Sequence, residues 1–153
     1  MFLQKHLISL IKKIKHFCKK TNRKFYLANE FKLALYLNLD GVYIPSFNKS
    51  FYSNNFSKQK NFRIIGSAHN IYEIKIKEKQ KIEIIFISPL FKIDKRNNYL
   101  GLHRFMSLKK LTEKKLIVLG GINKLNIKKL KLINSYGFAS ISFIKMINNK
   151  NEY

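Results

Sequence analysis

The sequence predicts an α/β fold built on one parallel sheet, and three observations support this prediction. Segments of strand length alternate with helical patterns along the 153 residues. Most of the strand segments are apolar throughout, as in strands that are buried on both faces. No internal repeat or linker divides the chain, and its length suits one domain with a real hydrophobic core. These observations leave open whether the sheet is doubly wound or closed into a barrel.

The first half of the chain is predicted to hold two helices and three strands. Apolar residues at helical spacing, with lysines opposite, indicate an amphipathic helix over residues 2–20. Asn29 is placed to cap a second helix that runs to about Leu37. The three strands are predicted at residues 25–28, at residues 42–44 and within residues 62–70.

The second half is predicted to continue this alternation. Asn70 followed by Glu73 has the pattern of a capping box, which would open a helix over residues 71–79. Asn123 is expected to cap a helix that runs to about Asn134. Strands are predicted at residues 82–87, at residues 116–120 and within residues 137–144. A further helix is predicted at residues 102–112. A polar, frayed end is expected from residue 144 onward.

The net charge of +23 is interpreted as a solvated surface and not as a nucleic-acid footprint. Only four of the 31 Lys and Arg residues are Arg, the residue that best contacts phosphates and bases. The lysines are spread along the chain, whereas a binding surface gathers them on one face. Abundant Lys, Asn, Ile, Phe and Tyr fit the codons of an AT-rich genome. We therefore expect no specific nucleic-acid partner.

Membrane and redox features of the sequence favour a reducing, cytoplasmic setting. No apolar run approaches the roughly 18 residues of a membrane span, so no membrane partner is expected. A basic amphipathic helix at residues 2–20 suits a membrane surface as well, but packing on its own domain is the commoner outcome. The single cysteine, Cys18, excludes an intrachain disulfide and a cysteine-based metal site.

Gly120 and Gly121 stand between an apolar strand and a helical pattern, which is a typical position for a phosphate-binding turn. Glycines let the backbone approach an anion closely, and N–H groups at the carboxyl end of a parallel strand point outward. An ordinary strand-to-helix turn would use the same residues. We expect Ser142 to point its hydroxyl into the same space. We also expect Gly121→Val to abolish phosphate binding and to leave the fold largely intact.

Four segments carry motifs that occur in the same order in one family of proteins. "FYLANEFKLALYLNLDGVYIP" resembles an Asn-Asp segment, an Ala-Leu-rich helix and a Gly-Val-His-Leu-Gly strand. "RIIGSAHN" resembles a Gly-x-Ser-x-His strand end, and "IFISPLFKIDKRNNYLGL" resembles a Gly-Pro-x-Phe-x-Thr-x-x-Lys loop. "LIVLGGINKLNIKKLKLINSYGFASISFI" resembles a strand, Gly-Gly-Ile, a helix and a last strand bearing Ser. Over about residues 2–146, the chain resembles the thiamine phosphate synthase family, which includes the thiazole tautomerase TenI.

The resemblance implies a TIM-barrel-like (β/α) fold that is shortened, with about six parallel strands equivalent to barrel strands 3–8. It implies a protein of thiamine biosynthesis that joins a pyrimidine pyrophosphate to a thiazole phosphate with loss of pyrophosphate, with Mg²⁺ as cofactor. The family's first two strands have no counterpart in this sequence. We therefore expect an open sheet whose edge strands, at residues 24–28 and 138–142, are covered by a second copy, a partner chain or the N-terminal helix.

The resemblance also assigns site residues by position. The thiazole phosphate would be bound by Gly120, Gly121, Ile122, Ile141 and Ser142. The pyrophosphate would be bound by Asn29, Ser67 and Lys95, although Arg96 matches the family lysine equally well. Glu30 would be a Mg²⁺ ligand and His69 the catalytic residue, which transfers a proton in the tautomerase branch.

Three departures from the family pattern keep several functions open. The second Mg²⁺ carboxylate falls near Asn48, which is neutral, and the Thr and Gly of the Gly-Pro loop are Ile93 and Ser88. The protein is then a thiamine phosphate synthase, a TenI-like tautomerase that uses His69, or a non-catalytic protein that binds a phosphate ligand. Asn48 and the missing strands favour the third function, and the retained Gly-Gly-Ile and Ser-Ala-His favour the first two.

Overall fold

The computed structural model describes residues 2–51, 61–93 and 98–148 and contains one sheet of six parallel strands. The strands are β1 (Tyr26–Ala28), β2 (Gly41–Ile44), β3 (Arg63–Ala68), β4 (Ile84–Ile87), β5 (Lys115–Leu119) and β6 (Gly137–Ala139). The α-helices are α1 (Phe2–Lys20), α2 (Phe31–Tyr36), α3 (Ile71–Lys79), α4 (Gly101–Lys110) and α5 (Ile141–Asn148). A 3₁₀ helix covers Ile127–Leu132. The predicted α/β class, with its parallel sheet, is confirmed.

The strands lie side by side in chain order, from β1 to β6. Each pairs in parallel with the next, for example Tyr26 with Gly41 and Ile117 with Gly137. Within the described ranges, β1 and β6 do not pair with each other, so the sheet is open and these two strands are its edges. Six strands therefore form an open arc here and not a closed barrel.

One face of the sheet packs against the helices and forms the core. Side chains alternate between faces along a strand, and paired residues of neighbouring parallel strands share a face. The helix-covered face carries Val42, Ile85 and Val118, which are fully buried together with Ile74 of α3 and Phe105 of α4. This apolar contact holds the strand ends, and the loops that follow them, in fixed positions.

The opposite face, called the inner face below, carries Tyr43, Ile65, Ser67, Phe86 and Ile117. Ile65 and Ser67 are buried, and the other three are partly buried. The rings of Tyr43 and Phe86 meet edge to face, with centroids 6.4 Å apart. Aromatic rings in this arrangement attract each other beyond their burial of apolar area.

Helix α3 begins and ends where the sequence predicts, because its cap is complete. The Asn70 Oδ1 atom accepts a hydrogen bond from the Glu73 N–H at 2.9 Å, and the Glu73 carboxylate accepts one from the His69 N–H at 2.8 Å. Two N–H groups that the helix leaves without partners are thereby satisfied. The cap therefore also fixes the backbone at His69.

We expect Asn70→Ala to lower the free energy of unfolding by about 1 kcal/mol, because the N-terminal cap of α3 is lost. Urea unfolding measures this change, and Ser9→Ala, at an exposed position of α1, is the control. An Asn70→Ala protein that unfolds at the same urea concentration as the control would contradict the capping role.

Three local predictions are wrong, and in each case a side-chain hydrogen bond explains the difference. Asn29 does not cap α2: Glu30 occupies the cap position, and the Asn29 side chain accepts a hydrogen bond from Asn48. Asn123 does not start an α-helix, since its Oδ1 atom accepts from the N–H groups of Leu125 and Asn126. Asn side chains that bind nearby backbone compete with helix formation in this way.

The third difference is at the end of the chain, where β6 stops at Ala139 and α5 follows. Ser140 receives a hydrogen bond at its Oγ atom from the Phe143 N–H, at 3.3 Å, which is the geometry of an N-terminal cap. Ile141 and Ser142 therefore lie in the first turn of a helix and not at the end of a strand. The expected frayed end from residue 144 is helical as far as Asn148.

Helix α1 packs against the core with one side, as expected for an amphipathic helix. Ile11 is buried, and the Lys15 ammonium donates a hydrogen bond to the Leu37 carbonyl at 2.8 Å. The neighbouring side of α1 exposes Leu7, Leu10, Ile14 and Phe17. In the described part of the chain, no helix is long and apolar enough to cross a membrane.

Candidate functional site

The residues that the sequence singled out follow different strands, and they lie at the carboxyl ends of the strands. Carboxyl ends of parallel strands point to the same side, where ligands of α/β proteins bind. Here Asn29 follows β1, His69 follows β3, Gly120 follows β5 and Ile141 comes two residues after β6. The fold therefore places these candidate residues on the same side of the sheet, at the carboxyl ends of its strands.

The double glycine is required by the loop that follows β4. Gly120 and Gly121 have φ angles of 95° and 69°, in the left-handed region that favours glycine. The Phe91 N–H donates to the Gly120 carbonyl at 3.1 Å, which holds the two loops together. A Cβ atom at Gly121 would lie 2.6 Å from the Phe91 carbonyl oxygen. Gly121→Val cannot leave the fold intact, and that expectation is wrong.

A serine that the sequence did not single out connects the double-glycine loop to α5. The Ser140 hydroxyl donates to the Ile122 carbonyl at 3.0 Å while it caps α5. Ile122 is a buried core residue, so it contributes backbone and not a side chain to this edge. A Ser directly after a strand, and before an apolar helical pattern, is the capping signal that could have identified it.

The helix that begins at this edge is α5, not the helix expected after Asn123. Ile141 is 75% exposed and Ser142 is also exposed, both in the first turn. N–H groups in the first turn of an α-helix have no intrahelical partner, and the helix dipole favours an anion there. Ile141 and Ser142 therefore follow Ser140, whose hydroxyl reaches the Ile122 carbonyl next to the double glycine, and they lie on a helix and not on the predicted strand.

The loops after β1 and β2 are joined by two asparagines. The Asn48 side-chain amide donates to the Asn29 Oδ1 atom at 2.7 Å, and Asn29 has a φ angle of 61°. Glu30 is exposed and lines a cavity of about 430 Å³ between α1 and α2, with Leu33 and Tyr36. Its side chain is therefore accessible to solvent.

The acidic groups at this edge of the sheet suit Mg²⁺ in one arrangement only. Among the described residues, no group of three His, Cys, Asp or Glu side chains could hold a metal ion. Mg²⁺ in proteins often keeps water and phosphate oxygens and uses only one or two carboxylates. Glu30 suits a Mg²⁺ ion whose other ligands are water and phosphate oxygens. The described residues do not suit a Mg²⁺ ion held by protein groups alone.

The His69 ring is oriented by the loop after β4. Its Nδ1 atom lies 2.6 Å from the Ser88 carbonyl oxygen, which can only accept, so Nδ1 carries the proton. In the tautomer that this contact favours, Nε2 is the ring nitrogen that accepts a hydrogen bond. The ring borders a cavity of about 190 Å³ that Tyr99 and Arg104 also line. The structure thus holds the imidazole in one orientation beside a small cavity.

Ser67 lies on the inner face, away from the double glycine along the sheet. It is buried, and its Oγ atom accepts a hydrogen bond from the Tyr43 hydroxyl at 2.8 Å. Tyr43 was not singled out, although the alternation in Gly41–Ile44 places it opposite the core residues Val42 and Ile44. The predicted Lys95, and the alternative Arg96, lie outside the described residues.

The family model and the similar proteins all carry the name thiamine-phosphate or thiamine monophosphate synthase. The family described as thiamine monophosphate synthase matches residues 2–145. A protein of Aquifex aeolicus strain VF5 named putative thiamine-phosphate synthase 2 is 31% identical over 144 residues, which are 90% of this chain and 75% of that protein. The thiamine-phosphate synthase of Prochlorococcus marinus is 30% identical over 143 residues, which are 90% of this chain and 40% of that protein.

The fold has a counterpart among solved structures. Thiamine phosphate pyrophosphorylase from Pyrococcus furiosus superposes with a TM-score of 0.71 at 18% sequence identity. The superposition covers 90% of this chain and 66% of the solved one. The six-stranded arc thus has the architecture of a (β/α) protein of barrel type.

Proposed function

The chain belongs to the thiamine monophosphate synthase family, and we propose that residues 1–153 form one thiamine phosphate synthase/TenI-like domain that binds a phosphorylated thiazole. The link between Ser140 and the Ile122 carbonyl supports this proposal most strongly. This bond links the residue after the glycine turn to the residue before α5, and in the proposed site the backbone N–H groups of both turns would bind one anion. Gly120, Gly121, Ile122, Ile141 and Ser142 would then hold the thiazole phosphate mainly through backbone groups.

The proposed reaction joins a pyrimidine pyrophosphate to the thiazole phosphate and releases pyrophosphate, which makes the protein a transferase. Departure of pyrophosphate leaves a pyrimidine-methyl cation, so the protein must hold anions in place and exclude water. Asn29, Ser67 and Lys95 would contact the pyrophosphate. Glu30 would hold Mg²⁺, which neutralises pyrophosphate charge when bound. We place this chemistry in the cytoplasm, with no specific nucleic-acid or membrane partner.

The test measures thiazole phosphate binding by calorimetry and thiamine phosphate formation from both substrates. Ser140→Ala should weaken thiazole phosphate binding about tenfold, which corresponds to the loss of one or two hydrogen bonds. Ser107→Ala is the matched control, because that hydroxyl donates within its own helix, to the His103 carbonyl at 3.2 Å. A folded wild-type protein that binds no thiazole phosphate at millimolar concentration would refute the proposed function.

His69 supports a second function, a TenI-like proton transfer on the thiazole. The observation in its favour is the Ser88 carbonyl at Nδ1, which leaves Nε2 as a base beside a cavity. His69→Gln should then abolish tautomerisation and leave thiazole phosphate affinity within about twofold. Equal tautomerase activity in this variant would exclude His69 as the proton-transfer group.

A second copy or another chain is proposed to cover the open edges β1 and β6. Unpaired N–H and C=O groups on an edge strand invite pairing with another chain. Because the net charge of +23 opposes self-association, a second copy should bind more strongly at high salt than at low salt. Sedimentation of the purified protein over a salt series distinguishes a dimer from a monomer.

A further inference from the structure

Lys77 is a fully buried lysine on α3, in a chain whose other described lysines reach solvent. Its ammonium donates hydrogen bonds to the Pro45 carbonyl at 2.7 Å and to the Asn48 carbonyl at 2.8 Å. A third bond reaches the Gln80 Oε1 atom at 3.0 Å. A buried ammonium is costly unless its hydrogens are satisfied, and here all three are.

Gln80 contacts the same loop and is also buried. Its side-chain amide donates to the Asn48 carbonyl at 3.0 Å and to the Ser50 carbonyl at 2.8 Å. Lys77 and Gln80 together therefore make four hydrogen bonds to backbone carbonyls of the loop after β2. We call residues 45–50 the β2 loop and these two side chains the loop clamp.

Gly66 of β3 lies beside the stem of Lys77. A Cβ atom at Gly66 would lie 2.8 Å from both the Ile44 carbonyl oxygen and the Ile82 Cδ1 atom, which is too close, and 3.5 Å from the Lys77 Cδ atom, which is an ordinary contact distance. The glycine is therefore required by β2 and Ile82 and not by the lysine.

The β2 loop carries the clamp's effect to the candidate site. Asn48 is held at its carbonyl by both clamp residues, and its own N–H donates to the Pro45 carbonyl at 3.1 Å. Its side-chain amide then donates to Asn29 Oδ1 at 2.7 Å. A continuous series of hydrogen bonds therefore runs from α3 through Asn48 to Asn29, next to Glu30.

We propose that Lys77 is a positioning residue, which with Gln80 fixes the β2 loop so that Asn48 orients Asn29 for a pyrophosphate-bearing ligand. This inference rests on the proposed function for the identity of the ligand. The clamp itself rests on the contacts described above. Rigid support of this kind keeps a binding group within the narrow range of positions that a ligand requires.

The effect of pH on the loop clamp distinguishes a positioning role of Lys77 from a role in overall stability. Burial lowers the pKa of Lys77 from 10.5 to about 8, and the Glu73 carboxylate on the same helix acts in the opposite direction. Between about pH 8 and 10.5, the unfolded chain binds more protons than the folded one, so this lysine makes stability rise with pH. In the same window the neutral amine has two hydrogens for three acceptors, so the clamp weakens.

The experiment compares Lys77→Met with Lys79→Met, an exposed lysine of the same helix. Side-chain amide signals of Asn29 and Asn48 are followed by NMR from pH 6 to 10. In the wild type and in Lys79→Met they should shift with an apparent pKa of about 8. In Lys77→Met they should be displaced at pH 7 and independent of pH.

Binding of inorganic pyrophosphate with Mg²⁺ should weaken about tenfold or more in Lys77→Met, whereas thiazole phosphate affinity should stay within about twofold. Wild-type Asn29 and Asn48 signals in Lys77→Met would overturn the proposal. If that variant does not fold, Gln80→Leu gives the same readout, since it removes two of the loop bonds. If the wild type binds no pyrophosphate, the proposed function fails while the NMR comparison still decides the clamp.

Discussion

Replacing Gly121 by alanine is expected to lower the free energy of unfolding by about 3–5 kcal/mol and to abolish thiazole phosphate binding. A left-handed φ of 69° costs a residue with a side chain about 1–2 kcal/mol. The remainder comes from the Cβ atom, which would lie 2.6 Å from the Phe91 carbonyl oxygen and 2.7 Å from that of Lys92. Relief of this contact requires the loop after β4 to move away. Urea unfolding and calorimetry measure the two effects.

Two other glycines distinguish the cost of the left-handed φ angle from the cost of the close Cβ contact. Gly101 has a φ of 73°, but its nearest neighbour to a new Cβ atom is 4.0 Å away, so Gly101→Ala should cost about 1 kcal/mol. Gly137 has neither a left-handed φ nor a contact under 3.9 Å, and Gly137→Ala should change stability by less than about 0.5 kcal/mol. Equal stability of the Gly121 and Gly137 variants would refute the close approach of the two loops.

Phe105→Ala is expected to lower the free energy of unfolding by about 3–5 kcal/mol, because it opens a cavity in the core. Phe105 is the buried residue of α4, with 0% of its surface exposed. Helix α4 follows the loop that contacts the double glycine, so binding should weaken as well. Leu111, which is 55% exposed at the end of α4, supplies the control, and Leu111→Ala should cost under about 1 kcal/mol. A similar change in both variants would mean that α4 does not pack as described.

The strands were predictable because each is a short apolar segment followed by a turn signal. Ile84–Ile87 and Lys115–Leu119 lie within or next to their predicted ranges for this reason. Helix α3 was predicted to the residue, because the Asn70 and Glu73 cap is a local interaction. Local patterns of this kind are independent of the rest of the fold.

The residues that the sequence did not reveal depend on contacts between distant segments. Lys77 looks like any other lysine in a run of alternating charged and apolar residues, and only the β2 loop, 29 to 32 positions away, makes it a buried donor. Ser140 likewise acquires its role from Ile122, 18 positions earlier. Asn29 and Asn123 have good capping chemistry, yet each uses its side chain for another partner. Such choices are decided by tertiary structure and not by propensity.

The chain-order arrangement of the strands has a consequence for how the molecule folds. Every strand pairs with its neighbour in sequence, so ladder partners are separated by 15 positions, as for Tyr26 and Gly41, up to 31 positions, as for Ile84 and Lys115. Loop closures of 15 and 31 positions differ little in entropic cost, but each must close before its ladder forms, and this makes parallel pairing slow. Each new strand can also add to a finished edge during synthesis on the ribosome. In the described part of the chain no ladder joins β1 to β6, so folding does not require the two ends of the sheet to meet.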